Sequence, residues 1–337
     1  MSNLNKTNQP FSVNDIFVNN ILDDERLFEN KALEIFRFQY KNNKVYKQWC
    51  DAFEIEIDKI NCIEKIPFLP ISFFKTHKVI SSEFKPEIVF ESSGTTQTIS
   101  SKHFVKHIFI YKKSFLKAFE LFYGNVKNYC IIGLLPSYLE RKNSSLVMMV
   151  DELIKLSHHS KSGFYLYEFD RLQKILKQLE NDQQKTLLIG VTFALLNFAE
   201  VFPMQLNHTT IMETGGMKGR RKELTRIELH NILQDKFGVK NIHSEYGMTE
   251  LLSQAFSKND GKFYCSPWMK VLIRNEQDPF AISPSGKGIL NIIDLANIYS
   301  CSFIATDDVG IVHKNSSFEI LGRLDNTDIR GCSLLIV

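Results

Sequence analysis

The alternation of apolar strands with helical segments between residues 129 and 237 is the feature that most restricts how this chain can fold. Strands are predicted where apolar residues run together, and helices where they recur at helical spacing. The predicted strands span 129–135, 186–191 and 209–214, and the predicted helices span 146–156, 172–179, 193–201 and 222–237. Strands separated by helices form a parallel or mixed sheet with helices on its faces. We therefore predict an α/β fold of layered mixed sheets flanked by helices.

The regions on either side of this alternation have different patterns. Residues 11–60 have apolar residues near helical spacing, and an apolar strand at 88–90 precedes a predicted helix over 104–122, with Phe109, Phe115, Leu116 and Phe119 on its inner face. After Ser244, short strand candidates follow one another, at 268–273, 288–293, 302–305, 310–313 and 318–321. We expect three parts, which are a helical N-terminal segment (1–80) packed on the core, an α/β core (81–243), and the end of the core with a small C-terminal β subdomain (244–337).

Composition excludes several classes of function. The 337 residues carry a net charge of only +3 and no dense basic tract, so nucleic acid is not an expected partner. The longest weakly charged stretch, 186–199, is shorter than the roughly 20 residues that span a bilayer, so no membrane span is expected. The six cysteines are scattered without a CxxC motif, which argues against a disulfide framework or zinc site and favours a reduced, cytoplasmic setting.

The segment ESSGTTQTISSKH, residues 91–103, is rich in hydroxyl side chains around Gly94 and follows the predicted strand at 88–90. Such a loop can bend tightly and direct backbone N–H and side-chain O–H groups at an anion. No Gly-Lys-Ser/Thr follows, so it is not a Walker loop, and a single glycine does not make the dinucleotide-binding fingerprint. Considered alone, the segment is either a phosphate-binding loop or a solvated turn.

Four further motifs follow the loop in order. They are ETGGMKGRRKE (213–223), SEYGMTELLSQ (244–254), ATDDVG (305–310) and GRLDNTDIRG (322–331). Together with the loop, this set resembles the adenylate-forming superfamily, which includes acyl-CoA synthetases, luciferase and peptide-synthetase adenylation domains. The loop is similar to the superfamily's S-S-G-T-T-G-x-P-K, and YGMTE, TDD and GRLD are similar to its tyrosine-glycine, T-G-D and G-R-x-D motifs.

A narrower resemblance covers nearly the whole chain from about Pro67 onward. It rests on FESSGTT with the following SKH, LPSYLERKNSSLVMMVDELI (135–154), TGGMKGR, EYGMTELLSQ and the ending GRLDNTDIRGCS. These segments are similar to the acyl-protein synthetases (LuxE-type, long-chain-fatty-acid–luciferin-component ligases), the fatty-acid-activating components of bacterial bioluminescence. The resemblance implies an enzyme that uses ATP and Mg²⁺ to convert a carboxylic acid, expected to be a fatty acid, into acyl-AMP.

The resemblance also implies roles for individual residues. Thr249 would bond the α-phosphate, Glu250 would coordinate Mg²⁺, and Tyr246, followed by Gly247, would lie against adenine. Asp308 would accept from the ribose hydroxyls, and Arg323 would donate to ribose or phosphate. The implied ligands of the β- and γ-phosphates are Ser92, Ser93, Gly94, Thr95 and Thr96.

The motifs depart from the superfamily pattern at several positions. Gln97 and Ser100 replace the usual glycine and lysine of the loop, and Lys102 or His103 is the candidate to supply the missing charge. Asp307 replaces the glycine of T-G-D. Superfamily members continue into a mobile lid that carries a catalytic lysine, whereas this sequence ends shortly after Gly331. We therefore expect no lid. Either the first half-reaction proceeds without its lysine, or Lys218, Arg220 or a partner protein replaces that lysine.

Cys332 lies where the bioluminescence enzymes are implied to accept the acyl group before passing it to a reductase. As a thiolate it would attack acyl-AMP and form a thioester, and nearby Arg330 would lower its pKa. Alternatively, Cys332 is a buried cysteine of the last strand. The implied partners are accordingly an acyl-accepting protein, a reductase or a carrier.

Three functions remain open at this point. The first is the adenylating acyl-protein synthetase, and the second is a CoA or carrier-protein ligase in a polysaccharide or secondary-metabolite pathway. The third belongs to another class, a catalytically inactive nucleotide- or partner-binding protein on the same fold. The retained Thr249, Glu250, Asp308 and Arg323 favour catalysis, whereas the missing lid and the altered loop favour the binding protein.

Overall fold

The computed structural model describes residues 13–17, 25–92, 99–136, 140–215 and 224–324. The helices are α1 (Glu25–Asn42), α2 (Lys44–Ala52), α3 (Phe73–Thr76), α4 (Ile108–Tyr123), α5 (Ser145–Ser157), α6 (Phe169–Asn181), α7 (Thr192–Val201) and α8 (Arg226–Phe237). The strands are β1 (Leu69–Pro70), β2 (Ile88–Glu91), β3 (Lys102–Val105), β4 (Cys130–Leu134), β5 (Gly163–Phe164), β6 (Thr186–Val191), β7 (Thr209–Thr214), β8 (His243–Tyr246), β9 (Ala255–Ser257), β10 (Tyr264–Cys265), β11 (Met269–Arg274), β12 (Ile282–Ser283), β13 (Gly286–Asp294), β14 (Phe303–Val312) and β15 (Phe318–Arg323).

The largest sheet contains the strands that alternate with helices. Its order is β10-β9-β8-β7-β6-β4-β5, with parallel pairing from β5 to β8 and antiparallel pairing at β9 and β10. β4 and β6 are buried along their whole length, as expected for strands covered on both faces. The predicted mixed sheet with flanking helices is therefore confirmed. Because the carboxyl ends of parallel strands meet at one edge, the residues that follow β6, β7 and β8 lie close together there.

The second sheet lies in the C-terminal part of the chain. Its order is β1-β14-β13-β11-β12, with β15 paired to β14. The two strands predicted at 302–305 and 310–313 are a single strand, β14, with an irregularity between Val309 and Gly310 where it pairs with β15. β1 joins this sheet by parallel pairing with β14 at Leu69 and Pro70. The predicted division into three domains stays a prediction.

Two helix predictions need correction. The helix predicted from Phe104 begins at Ile108, because Phe104 lies in β3, which pairs with β2 as the second strand of a hairpin. Phe115 and Phe119 are buried as predicted, but Phe109 is 49% exposed and does not belong to the inner face. The helix predicted from Lys222 begins at Arg226, where Thr225 and Glu228 form a capping box.

The N-terminal helices α1 and α2 pack against the second sheet. Phe36 of α1 and Tyr46 of α2 contact the ring of Phe303 on β14, at centroid distances of 6.2 and 6.1 Å. Asn43, between the helices, caps α2 and donates to the carbonyl of Ser300. This packing fixes the turn between β13 and β14. Within the described ranges, none of the helices has both the length and the apolarity required to cross a bilayer.

Candidate active site

The two ends of the hydroxyl-rich loop are held together by the β2–β3 hairpin. Ser92 donates its backbone N–H to the carbonyl of Ser101 at 3.1 Å, and Ser101 donates its N–H to the Ser92 hydroxyl at 2.9 Å. Four of the predicted phosphate ligands, Ser93, Gly94, Thr95 and Thr96, lie outside the described residues. The hairpin therefore fixes where the loop leaves and re-enters the fold.

The YGMTE motif begins at the carboxyl end of β8 and is connected to the hairpin. His103 of β3 is hydrogen-bonded through Nδ1 to the carbonyl of Thr249, at 2.9 Å. The Ser101 side chain is hydrogen-bonded to the carboxylate of Glu250. Two motifs about 150 residues apart in the sequence are thus in direct contact at the edge of the sheet.

His103 cannot supply the charge missing from the loop, which corrects that interpretation of the sequence. Burial lowers the pKa of His103 to about 4, so the imidazole is neutral at pH 7 and its Nδ1–H donates to the Thr249 carbonyl. The other candidate, Lys102, is half exposed on β3, with its ammonium 3.9 Å from the carboxylate of Glu91.

Glu250 is a buried carboxylate, with 5% of its surface exposed. Burial raises its pKa, while the bond to Ser101 and the positive charges of Arg323 and Lys75 favour the ionised form. Among the residues that the structure describes, no group of three or more His, Cys, Asp and Glu side chains could hold a metal ion. A single carboxylate still fits Mg²⁺ at a nucleotide site, because this ion takes one or two carboxylates and completes its octahedron with phosphates and water.

Tyr246, Asp308 and Arg323 come together beside the same edge. The Tyr246 hydroxyl donates to Asp308 Oδ2 at 2.7 Å, and Arg323 Nε lies 3.7 Å from Asp308 Oδ1. Asp308 and Arg323 are register partners on β14 and β15, which explains their proximity. The Tyr246 ring is buried against Phe263 and Phe318, at centroid distances of 6.0 and 5.5 Å. The position of the tyrosine next to adenine stays a prediction.

Gly247 lies against a buried carboxylate that the sequence analysis did not select. A Cβ at position 247 would come within 2.5 Å of Glu245 Oε1. The other Glu245 oxygen accepts a bond from the Thr214 hydroxyl, so the side chain is not free to move away. A glycine is therefore required by this close approach. Glu245 and Tyr246 are successive residues of β8 and point to opposite faces of the strand. The YGMTE match to the superfamily starts at Tyr246 and assigns no role to Glu245.

We predict that Glu245→Gln stabilises the protein at pH 8 but not at pH 4.5. Burial raises the pKa of Glu245 to about 7, and the Glu213 carboxylate adds to the rise. Between the ordinary value of 4.5 and about 7, the folded chain keeps a proton that the unfolded chain has released, so the free energy of unfolding falls as the pH rises. Removing this titration should add on the order of 2–3 kcal/mol at pH 8. Urea unfolding of both proteins at the two pH values measures the difference in the free energy of unfolding. An equal difference at pH 8 and pH 4.5 would contradict the prediction.

Three site predictions cannot be followed in the structure. Lys218, Arg220 and Cys332 lie outside the described residues. The predicted site residues that the structure describes lie where β8, β14 and the β2–β3 hairpin approach one another. These residues are Ser92, Tyr246, Gly247, Thr249, Glu250, Asp308 and Arg323.

Known proteins similar in sequence agree with the narrower resemblance. A long-chain-fatty-acid–luciferin-component ligase of Aliivibrio fischeri is 23% identical. The alignment is 337 residues long and covers 93% of this chain and 88% of that protein. A protein of the same name from Vibrio harveyi is 22% identical, over 89% of this chain and 84% of its own length.

Two solved structures of similar fold are a CoA ligase and a luciferase-like enzyme. A 2-hydroxyisobutyryl-CoA ligase in the postadenylation state superposes with a TM-score of 0.64 at 9% identity, over 90% of this chain. The luciferase-like enzyme of the mealworm Zophobas morio gives a TM-score of 0.50 at 16% identity, over 73% of this chain. The chain spans 68% and 60% of these two structures, respectively, and the likeness concerns the fold.

A family model provides the widest match. The model described as acyl-protein synthetase, LuxE, matches residues 13–337, which include the hairpin, the YGMTE motif and the Asp308–Arg323 pair. The chain therefore belongs to the LuxE family of acyl-protein synthetases.

Proposed function

We propose that this protein activates a carboxylic acid with ATP to form acyl-AMP and pyrophosphate, and then transfers the acyl group to a thiol. The observation that carries the proposal is the contact of Ser101 and His103, beside the hydroxyl-rich loop, with Glu250 and Thr249 of the YGMTE motif. Asp308 and Arg323 add a carboxylate and a guanidinium to the same edge. These groups match the parts of a nucleotide, since hydroxyls and N–H groups suit phosphates and a carboxylate suits a sugar diol.

The nucleotide would lie across the edge with its ribose at Asp308 and its triphosphate at the loop. The Tyr246 hydroxyl orients one oxygen of Asp308, and the remaining lone pairs of the carboxylate would accept from a pair of ribose hydroxyls. Thr249, held through its carbonyl by His103, would present its hydroxyl to the α-phosphate. The backbone of the loop that starts at Ser92 would surround the terminal phosphates.

The first step is attack of a substrate carboxylate oxygen on the α-phosphorus of ATP. The new bond joins that oxygen to phosphorus, and the bond from the α-phosphorus to the bridging oxygen breaks, so that pyrophosphate leaves. Glu250 would hold Mg²⁺, which would supply positive charge beside the phosphates. The protein's part is to orient Glu250, exclude water and bring two anions together against their mutual repulsion.

The second step is attack of a thiolate on the carbonyl carbon of acyl-AMP, with AMP as the leaving group. The named relatives are ligases that join a long-chain fatty acid to a luciferin component. We accordingly propose a fatty acid as substrate and a thiol of Cys332, of a partner protein or of a carrier as acceptor.

The first step is tested by exchange of labelled pyrophosphate into ATP. The assay uses a panel of aliphatic, aromatic and amino acids, with reactions that lack acid or Mg²⁺ as controls. We expect exchange that depends on both and is fastest with long-chain fatty acids. Exchange with none of the acids would favour the catalytically inactive binding protein, and exchange with another class would replace the fatty acid in the proposal.

The second step is tested by intact-mass measurement after incubation with ATP and the acid that supports exchange. If Cys332 accepts the acyl group, the wild-type protein gains the acyl mass and Cys332→Ala does not, while both retain exchange. An adduct that persists in Cys332→Ala would remove Cys332 from the mechanism, and the absence of any adduct would indicate an external thiol.

A further inference from the structure

Asp294, at the end of β13, is a fully buried carboxylate that the motifs do not include. It accepts hydrogen bonds from the backbone N–H groups of Leu252 and Ser253 at 2.8 and 3.0 Å. It also accepts a bond from the Ser253 hydroxyl at 2.5 Å and one from the N–H of Ala296 at 3.0 Å. Three of its four bonds therefore go to Leu252 and Ser253, which lie two and three residues after Glu250.

Asn297 makes a further connection from the same turn. Its side-chain Nδ2 donates to the backbone carbonyl of Glu250 at 2.7 Å, and the residue is fully buried. Together with His103, which donates to the carbonyl of Thr249, these side chains hold the backbone from residue 249 to residue 253. The peptide groups on both sides of the Glu250 side chain are thus fixed by side chains from other parts of the fold.

The turn that carries Asp294 and Asn297 is itself held from behind by α1. Gln39 donates to the carbonyls of Asn297 and Ile298, both at 2.9 Å. Its amide oxygen accepts from the N–H of Ser302 at 2.9 Å. Gln39 therefore holds this turn in place, so that the turn acts as a rigid support for the segment after Glu250.

We propose that Asp294 and Asn297 are positioning residues, which set the backbone that carries Glu250 and thereby the place of its carboxylate at the nucleotide. The kinetic effect expected from this inference rests on the proposed function, whereas the fixing of the backbone around Glu250 does not depend on that function. A buried carboxylate that accepts four hydrogen bonds is strongly directional, and the loss of one partner would leave polar groups of the segment unsatisfied. A displacement of about 1 Å at a reacting group can lower a rate about 100-fold.

The test compares Asn297→Ala with Asn291→Ala. Asn291 lies on β13, six residues before Asn297, and is equally buried. Its side chain has no hydrogen-bond partner, so its removal tests the loss of a buried amide without the bond to Glu250. In Asn297→Ala we expect kcat for pyrophosphate exchange to fall about 10- to 100-fold and the Mg²⁺ concentration for half-maximal exchange to rise, with a much smaller change in KM for the acid. In Asn291→Ala the kinetic constants should remain within about twofold of the wild type.

Deuterium uptake of residues 248–254 provides the second measurement, which needs no activity. Uptake of this segment should increase in Asn297→Ala and in Asp294→Asn but not in Asn291→Ala. If Asp294→Asn does not fold, the inference is tested by comparing Asn297→Ala with Asn291→Ala. Unchanged uptake in Asn297→Ala, or equal kinetic losses in both asparagine variants, would overturn the inference. Absence of exchange in the wild type would instead contradict the proposed function. Deuterium uptake of residues 248–254 would then be the measurement that tests the inference.

Discussion

Glu250→Gln is expected to lower the rate of pyrophosphate exchange by about 100- to 1,000-fold while leaving the protein folded. The carboxylate is the proposed protein ligand of Mg²⁺, and removal of one group that stabilises developing charge in a water-poor site has effects of this size. Glutamine keeps the shape of the side chain and can still bond to Ser101. Because burial raises the pKa of Glu250, loss of its charge should not lower the free energy of unfolding.

The matched control for this substitution is Glu152→Gln. Glu152 forms an ion pair with Lys112 at 2.9 Å between α5 and α4, so the variant also removes a partly buried carboxylate. Its exchange rate should equal that of the wild type. Exchange by Glu250→Gln within about threefold of the wild type, measured at saturating Mg²⁺, would remove Glu250 from the proposed metal site.

Asp308→Asn is expected to raise KM for ATP about 10- to 100-fold with a smaller effect on kcat. An ionised carboxylate accepts hydrogen bonds from both ribose hydroxyls, and each such bond contributes about 1.5–3 kcal/mol, whereas an amide presents one acceptor and one donor. The Tyr246 hydroxyl can still donate to the remaining oxygen, so the local packing should persist. The loss therefore falls on the nucleotide and not on the fold.

The neighbouring acid provides the control, because the T-D-D motif offers two carboxylates and only one is proposed to bind ribose. Asp307→Asn changes the adjacent residue of β14, whose carboxylate acts on the half-buried Arg274. Initial rates of exchange over a range of ATP concentrations should give an unchanged KM for Asp307→Asn. A KM that rises equally in both variants would indicate a general effect of negative charge, and a rise only in Asp307→Asn would transfer the role.

Regular parts of the fold could be predicted because their pattern is local. The strands over 186–191 and 209–214 consist mostly of apolar or β-branched residues, and their predicted bounds agree with β6 and β7. The split prediction for β14 failed because Thr306, Asp307 and Asp308 interrupt its apolar pattern. The helix predicted over 104–122 exists, but its predicted start was wrong because Phe104 belongs to β3, a short strand whose pairing with β2 depends on the hairpin and not on its own sequence.

The site could be predicted only where residues belong to motifs. Tyr246, Glu250, Asp308 and Arg323 were selected from motif order, and the structure describes them in one region. Asp294 and Asn297 could not have been found in the same way. They act through backbone groups of residues more than 40 positions away, and nothing in the local sequence distinguishes a buried Asp with such partners from an ordinary turn residue.

The central claim, that a carboxylate attacks the α-phosphorus of ATP, is tested most directly with a substrate acid labelled with ¹⁸O in its carboxylate. Hydroxylamine traps the activated acyl group and releases the nucleotide, which is then examined by mass spectrometry. The account predicts one ¹⁸O atom in AMP and none in inorganic phosphate. Label in inorganic phosphate with formation of ADP would indicate an acyl phosphate and contradict the account.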